Sequence, residues 1–290
     1  MEVNKRGDAV WIQGVTDFCP QQVFECGQAF RWNRDTRGYI GIVGDKVIRA
    51  DYQGQKQMLV LENCTLEDYH NVWKHYFDLD RDYDKVKRQL SSDKIMKEAV
   101  EYGRGIRVLN QDPWETLISF ILSANNNVKR IQGIIEKLSI KYGKEIIWDG
   151  KRYHTFPAPE SLAFAREEDL RDCGCGYRGP YIKKTARLVV DGLLFPYQLK
   201  YLPYEEAHRA LLGCSGVGDK VADCVLLYSM EKAEAFPVDV WVKRVMEHFY
   251  IGHPASVKQI KSIAAKRFGK AAGLAQQYLF YYARDKQIGK

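Results

Sequence analysis

Several absences narrow the reading of this 290-residue chain before any motif is considered. No apolar run approaches the ~18 residues that a membrane-spanning helix needs. No linker, internal repeat or low-complexity tract interrupts it. Disulfide scaffolding is missing as well: the seven cysteines (Cys19, Cys26, Cys64, Cys173, Cys175, Cys214 and Cys224) are odd in number and form no compact framework. With no signal-peptide pattern in "MEVNKRGDAV", the thiols are expected to be reduced and the protein cytoplasmic. The pair at Cys173 and Cys175 cannot make a four-ligand zinc site alone and reads as a glycine turn. No cysteine follows Cys224, which excludes a C-terminal cysteine-ligated iron–sulfur cluster.

Acidic residues are also missing from two stretches. Residues 177–187, "YRGPYIKKTAR", hold four basic residues and no acid. From Ile251 to Arg284 there is no Asp or Glu, while Lys258, Lys261, Lys266, Arg267, Lys270 and Arg284 are present. Together with a formal charge of +7 and 12% aromatic residues, these blocks fit a polyanionic partner such as nucleic acid.

What is present divides into two textures. Residues 1 to about 90 read as short β-rich runs, broken by Asn-Arg-Asp, Gly-Asp and Gln-Gly turns in "AFRWNRDTRGYIGIVGDKVIRADYQGQKQMLVLE", the pattern of an antiparallel sheet. "LEDYHNVWKHYFDLD" then reads as helical. From about Ser92 onward the pattern is mostly helical. Asp112, Pro113 and Glu115 predict an N-cap with a capping box, followed by a buried face of Trp114, Leu117, Ile118, Ile121 and Leu122. A second helix is predicted from Val128 to about Lys141. The fold class is α+β: a twisted antiparallel sheet over residues 1–92, packed on a helical body over 93–290.

The stretch "LLGCSGVGDKVADC" (211–224) carries the chemistry. Gly213, Gly216 and Gly218 permit a tight turn, and the helix that starts behind it offers free amides and a positive dipole end to a phosphate. Lys220 and Cys224, four apart, share one helix face. Asp239, in "FPVDVWVKRVMEHF", is a natural N-cap for a helix whose Val242, Val245, Met246 and Phe249 align. A lysine partly removed from water near a helix N-terminus can act as an amine nucleophile, and a nearby carboxylate can steady positive charge on a sugar. Amine, carboxylate and backbone phosphate clamp suit attack at the anomeric carbon of a nucleotide.

These residues, with Pro237-Val238-Asp239, resemble the helix–hairpin–helix Gly-Pro-Asp superfamily of DNA glycosylases. Within it the chain is similar to the 8-oxoguanine DNA glycosylases, through "CGQAFRW" (26–32), "SANNNVKR" (123–130), "GYR" (176–178) and "GLAQQYLF" (273–280). The resemblance implies a helix–hairpin–helix at about 204–232, excision of 8-oxoguanine from duplex DNA, preferably opposite cytosine, and a following lyase cut. It implies that Lys220 forms a Schiff base with C1′ and that Asp239 stabilises the transition state. The Gly27 carbonyl would accept the N7 proton that guanine lacks, Phe280 and Cys224 would sandwich the base, and Gln276 would read its edge. A thiolate–ammonium dipole between Cys224 and Lys220 is expected. Asn125, Arg130, Tyr177 and Arg178 would fill the gap and hold the orphaned cytosine. Gly216, Gly218 and Trp241 would meet phosphate.

The chain departs from the eukaryotic pattern where Trp241 replaces a histidine and Ala283 its acidic partner. No cofactor is expected to be required. The carbonyls of Leu212, Cys214 and Val217 would hold a structural cation, with sodium, potassium and calcium left open. The expected partner is 8-oxoguanine-containing duplex DNA, met by a nucleoid-associated monomer. Two alternatives remain at this stage: a glycosylase for other damaged bases, and a non-enzymatic helix–hairpin–helix DNA-binding module.

Overall fold

A computed structural model describes residues 1–289. Six antiparallel strands form the N-terminal sheet: β1 (Glu2–Arg6), β2 (Ala9–Gln13), β3 (Trp32–Arg34), β4 (Tyr39–Val43), β5 (Lys46–Gln53) and β6 (Met58–Glu62). Their order is β1-β2-β6-β5-β4-β3. The predicted turns are where the meander β3 to β6 reverses. Because β2 pairs with β6, the chain must cross from the middle of the sheet to its far edge before β3 begins. That crossover contains a short helix, α1 (Pro20–Phe24), and then Gly27.

The crossover is stitched to the helical body by buried polar side chains. Gln28 is fully buried, and its amide nitrogen donates to the carbonyls of Val23 and Arg107, each at 2.8 Å. Its side-chain oxygen accepts the Leu109 N–H at 2.9 Å, and its backbone carbonyl accepts the Gln111 amide at 2.7 Å. Arg107 in turn donates to the carbonyls of Thr16, Asp17 and Asp78. The side-chain polar ends of Gln28 and Arg107 are all satisfied, as burial between two cores requires.

In the body, α2 (Pro113–Ser123) begins at the predicted cap, with Asp112 Oδ1 accepting the Glu115 N–H at 2.8 Å. The capping box does not close. Glu115 turns instead toward Arg31, Nη1 to Oε2 3.6 Å, and burial pushes its carboxyl up to about 7. The helix α3 (Val128–Tyr142) is capped by Asn127. The mostly helical reading missed a hairpin, β7 (Glu145–Trp148) with β8 (Lys151–His154). Its signal was Asp149-Gly150, both at positive φ as a two-residue turn demands. Ile146, Trp148 and Tyr153 from this hairpin cover Ile40, Ile42 and Val47 on the outer face of the sheet.

Six further helices complete the frame of the site: α4 (Gly179–Val190), α5 (Tyr204–Leu212), α6 (Asp219–Ser229), α7 (Val240–Met246), α8 (Val257–Phe268) and α9 (Ala272–Lys286). After Met246 the helix widens into a π turn, Glu247–Ile251, which carries Phe249 outward to 37% exposure, away from the predicted apolar face. The contact between α6 and α9 is close. A Cβ on Gly273 would stand 2.4 Å from Leu227 Cδ1 and 2.7 Å from the Ala235 carbonyl, and the Gly273 N–H donates to Ala233 at 2.7 Å. Only glycine allows α9 to lie this near α6. Gly273→Ala is expected to destabilise the protein by about 2 kcal/mol through overpacking. Urea melts measure this loss, and an unchanged midpoint would refute the close-packing account.

Candidate active site

The lysine's position is built from the hairpin. Gly216 has φ +80, and a Cβ there would lie 2.6 Å from the Tyr181 ring, so both conformation and packing require glycine. Gly218 is extended, caps α6 without a side-chain bond, and faces open space. The first-turn amides of α6 are therefore open to a ligand. Behind them α6 plunges inward, and Val221 to Ser229 are all buried. Lys220 stands half-buried at the threshold.

A buried charge cluster holds α6 in place. The Asp223 carboxylate accepts from the Tyr204 hydroxyl on α5 at 2.6 Å, and its other oxygen is ion-paired with Lys261 on α8 at 2.6 Å. His208 Nε2 lies 3.6 Å from both Asp219 and Asp223. Burial still raises the Asp223 carboxyl above its usual range, against the pull of Lys261. Three helices are thus tied together one turn behind Lys220.

Nine residues enclose a small pocket: Gly27, Phe120, Lys220, Cys224, Tyr228, Pro237, Asp239, Gln276 and Phe280. The sheet crossover, α2, α6, α9 and the start of α7 each contribute. Lys220 Nζ lies 5.1 Å from the centroid of the Phe120 ring. Asp239 caps α7, its Oδ1 accepting the Val242 N–H at 2.8 Å. Burial raises its carboxyl, while that amide, the Lys220 ammonium, the Trp241 amide and Arg284 oppose the rise. Gly27 has φ +88, closed to ordinary side chains. Gln276 is 3% exposed, and its Oε1 has no hydrogen-bond partner. The cavity is about 40 Å³, room for a few waters and not for a purine. It adjoins a groove of about 500 Å³ between Ser123–Asn126 and α7, with Lys220 and Asp239 on the shared wall.

The residues expected at the DNA gap gather beside this groove. Asn125 is exposed and left-handed, φ +48. Arg130 is exposed in the first turn of α3. Tyr177 is 54% exposed, and its hydroxyl donates to the Ala124 carbonyl at 3.2 Å. Arg178 is placed differently from the expectation. It is buried, its Nε donates to Ala124 O at 2.8 Å, and its Nη2 donates to Ala124 O and Asn125 O. Its donors hold the asparagine loop, so in this conformation it shapes that loop from beneath.

Other expectations are corrected too. Burial pushes the Cys224 thiol up to about 11, although Lys220 pulls the other way. That upward shift disfavours the expected thiolate–ammonium dipole in the free pocket. The basic blocks are partly spent internally: Lys261 pairs with Asp223, Arg267 with Asp93, and Arg187 lies over Phe164. Trp241 is half-buried with Arg244 over its ring at 5.2 Å, and Ala283 is fully buried. Phe120 and Tyr228 were not singled out from the sequence, and Pro237 was named only as part of the Pro-Val-Asp motif, without a place in the pocket. Tyr228 was findable, because it continues the stripe of Lys220 and Cys224 at the same four-residue step.

A glycine hairpin presenting a half-buried lysine, opposite a desolvated carboxylate at a helix start, defines a helix–hairpin–helix base-excision site. Residues 12–117 match the 8-oxoguanine DNA glycosylase N-terminal domain, and residues 118–270 match the HhH-GPD superfamily base excision DNA repair protein model. A probable N-glycosylase/DNA lyase of Methanothermobacter thermautotrophicus is 36% identical over 73% of this chain and 73% of that protein. The N-glycosylase/DNA lyase of Saccharomyces cerevisiae is 32% identical over 94% of this chain and 84% of that one. The Clostridium acetobutylicum 8-oxoguanine glycosylase/lyase, solved with double-stranded DNA containing cytosine opposite 8-oxoG, superposes with a TM-score of 0.96 at 42% identity, covering 99% of both chains. The chain belongs to the HhH-GPD superfamily and, within it, to the 8-oxoguanine DNA glycosylase family.

The raised Asp239 carboxyl has a consequence for stability. A carboxyl whose folded value exceeds its unfolded value of ~3.9 contributes fully below that value and loses its contribution as pH rises through the folded value. At pH 7.5 the wild type carries the cost of a half-buried carboxylate. Asp239→Asn keeps an oxygen for Val242, so it is expected to melt about 1–3 °C higher than wild type at pH 7.5. The gain should shrink below pH 4. Calorimetry across pH reads this, and a lower melting point at pH 7.5 would contradict it.

Proposed function

We propose that this protein excises 8-oxoguanine from duplex DNA through a covalent lysine intermediate and then cleaves the abasic strand. The observation that carries the proposal is the convergence of Lys220, Asp239, Gly27, Cys224, Gln276 and Phe280 on one enclosed pocket. Family membership supplies the substrate: an oxidised guanine in duplex DNA, with cytosine opposite.

Base extrusion costs a few kcal/mol, and the pocket's contacts must repay it. In the free protein the pocket is nearly closed, so Phe280 must move away from Cys224 as the base enters. The Gly27 carbonyl accepts N7–H, a hydrogen bond that guanine cannot give. Leaving that acceptor unmet in a dry pocket costs roughly 1–3 kcal/mol, which is the discrimination against undamaged guanine. Gln276, buried with an unpartnered oxygen, takes the donor edge of the base.

The chemistry then follows in order. Lys220 reacts as the free amine once its ammonium proton is lost to water: the Nζ lone pair forms a bond to C1′ as the C1′–N9 bond breaks, the base leaves with that electron pair, and the proton that Nζ then sheds neutralises the base. Asp239 faces the positive charge that builds on the deoxyribose. Ring opening gives the Schiff base. Loss of a C2′ proton then expels the 3′ phosphate and cuts the strand. A non-enzymatic hairpin module would need neither Lys220 nor a carboxylate kept out of water, and an alkylbase glycosylase lacks the lysine.

No cofactor takes part in these steps. A structural cation on the carbonyls of Leu212, Cys214 and Val217 would only stiffen the hairpin. The Cys214 carbonyl already accepts the Val217 N–H at 3.2 Å and keeps one lone pair for an ion.

Borohydride added during reaction with an 8-oxoguanine duplex is expected to trap a covalent adduct that Lys220→Gln abolishes. An adduct of equal yield in the variant would refute the assignment. Arg130, exposed and cationic, and Tyr177, exposed beside the asparagine loop, are assigned to the orphaned cytosine. Cleavage opposite cytosine should exceed cleavage opposite adenine by about tenfold or more, as one or two charge-assisted hydrogen bonds would give. Arg130→Ala should flatten the preference. Equal cutting opposite all four bases by the wild type would remove both residues from this role.

A further inference from the structure

Gln276, Phe280 and Arg284 follow one another at four-residue steps on α9, so all three share the stripe that faces the pocket. The first two line it. The third enters above only as a basic residue whose charge opposes the rise of the Asp239 carboxyl. Its guanidinium carbon lies 5.3 Å from the Phe280 ring centroid and 5.5 Å from that of Tyr281. Its Nη1 would be 3.9 Å from a Cβ built on Gly27. Arg284 therefore stands at the rim where the base would pass between Gly27 and Phe280.

Its own partners are poor. Nη1 and Nη2 reach the Glu25 carbonyl only at 3.5 Å, the outer limit of a hydrogen bond. Nε lies 3.7 Å from Asp285, which already accepts the Tyr102 hydroxyl at 2.9 Å. Arginines that serve structure here are bound tightly: Arg107 makes three backbone bonds, and Arg178 holds the asparagine loop. The side chain of Arg284 is 28% exposed, which places its charge at the mouth and not in the base's interior. Nearby cations are committed. Lys243 binds Glu247 at 2.7 Å and the Ala255 carbonyl at 2.9 Å, and Arg244 lies over Trp241.

We infer that Arg284 is a DNA-binding residue whose guanidinium takes a phosphodiester oxygen next to the extruded nucleotide. The ligand class follows from the partner, since the anions duplex DNA brings to this rim are its phosphates. A bidentate phosphate contact would replace two marginal bonds to Glu25. It would also draw the guanidinium off Phe280, the ring that must move for the base to enter.

This inference rests on the proposed excision reaction, and the test separates the two. Affinity for an 8-oxoguanine duplex is measured against salt for wild type, Arg284→Ala and Arg284→Lys. The same duplex is also used with a neutral methylphosphonate immediately 5′ or 3′ of the lesion. Arg284→Ala should weaken binding about tenfold and reduce the salt slope by about 0.9, the value for one lost phosphate contact. Arg284→Lys should keep the slope. One of the two methylphosphonates should weaken wild-type binding and have no further effect on Arg284→Ala. Borohydride trapping at saturating DNA should persist in the variant, while its loss in wild type would sink the excision mechanism instead. An unchanged slope overturns the inference, whether discrimination against guanine falls, as for a base-reading arginine, or only the melting temperature does, as for a latch on Glu25. Additive effects of both methylphosphonates with Arg284→Ala overturn it as well.

Discussion

The site depends on one close approach. Helix α9 can bring Gln276 and Phe280 across from Lys220 and Cys224 only because Gly273 lets its backbone meet Leu227 and Ala235 without an intervening side chain. From the other side, Asp223 fixes α6 against α5 and α8 through short bonds to Tyr204 and Lys261. Lys220 is a flexible side chain. It is held to one region because the helix carrying it is locked on two flanks and buried over its remaining length.

The pocket is assembled from segments far apart in sequence, and it concentrates groups that the fold would otherwise avoid. Asp239 is half-buried with its carboxyl raised, and Gln276 leaves a buried oxygen unpaired. Each costs stability in the free protein, and in the proposed reaction each would be relieved by a substrate that offers positive charge or a donor edge. The sheet's contribution is indirect. Its strand order forces a crossover between β2 and β3, and Gln28 pins that crossover to the body so that the Gly27 carbonyl is presented at fixed depth. The hairpin's open amides and the asparagine loop held by Arg178 then bracket the groove along which the DNA would lie.

Much of this was legible in the sequence, for physical reasons. The glycine spacing, the cap at Asp239 and the four-residue step from Lys220 to Cys224 are local rules, and local rules survive folding. The resemblance placed Gly27 with Gln276 and Phe280; the last two share a helical step, but no periodicity could have joined them to Gly27. Where the reading failed, long-range burial decided. Glu115 had the spacing of a capping box but found Arg31 from the sheet side. Arg178 was grouped with Arg130 by charge, yet it is buried and bound to carbonyls 53 and 54 residues away. Cys224 was assigned a thiolate from its neighbour, but desolvation outweighed the neighbour. The Asp149-Gly150 hairpin was a local signal, overlooked because helices dominate its surroundings.

In the proposed reaction one amine, Lys220 Nζ, forms the bond to the sugar. Peptide mapping by mass spectrometry of the borohydride-reduced protein–DNA adduct tests it most directly. The account requires the deoxyribose remnant on the peptide that contains Lys220. A remnant on the N-terminal amine or on any other lysine, with Lys220 unmodified, would contradict it.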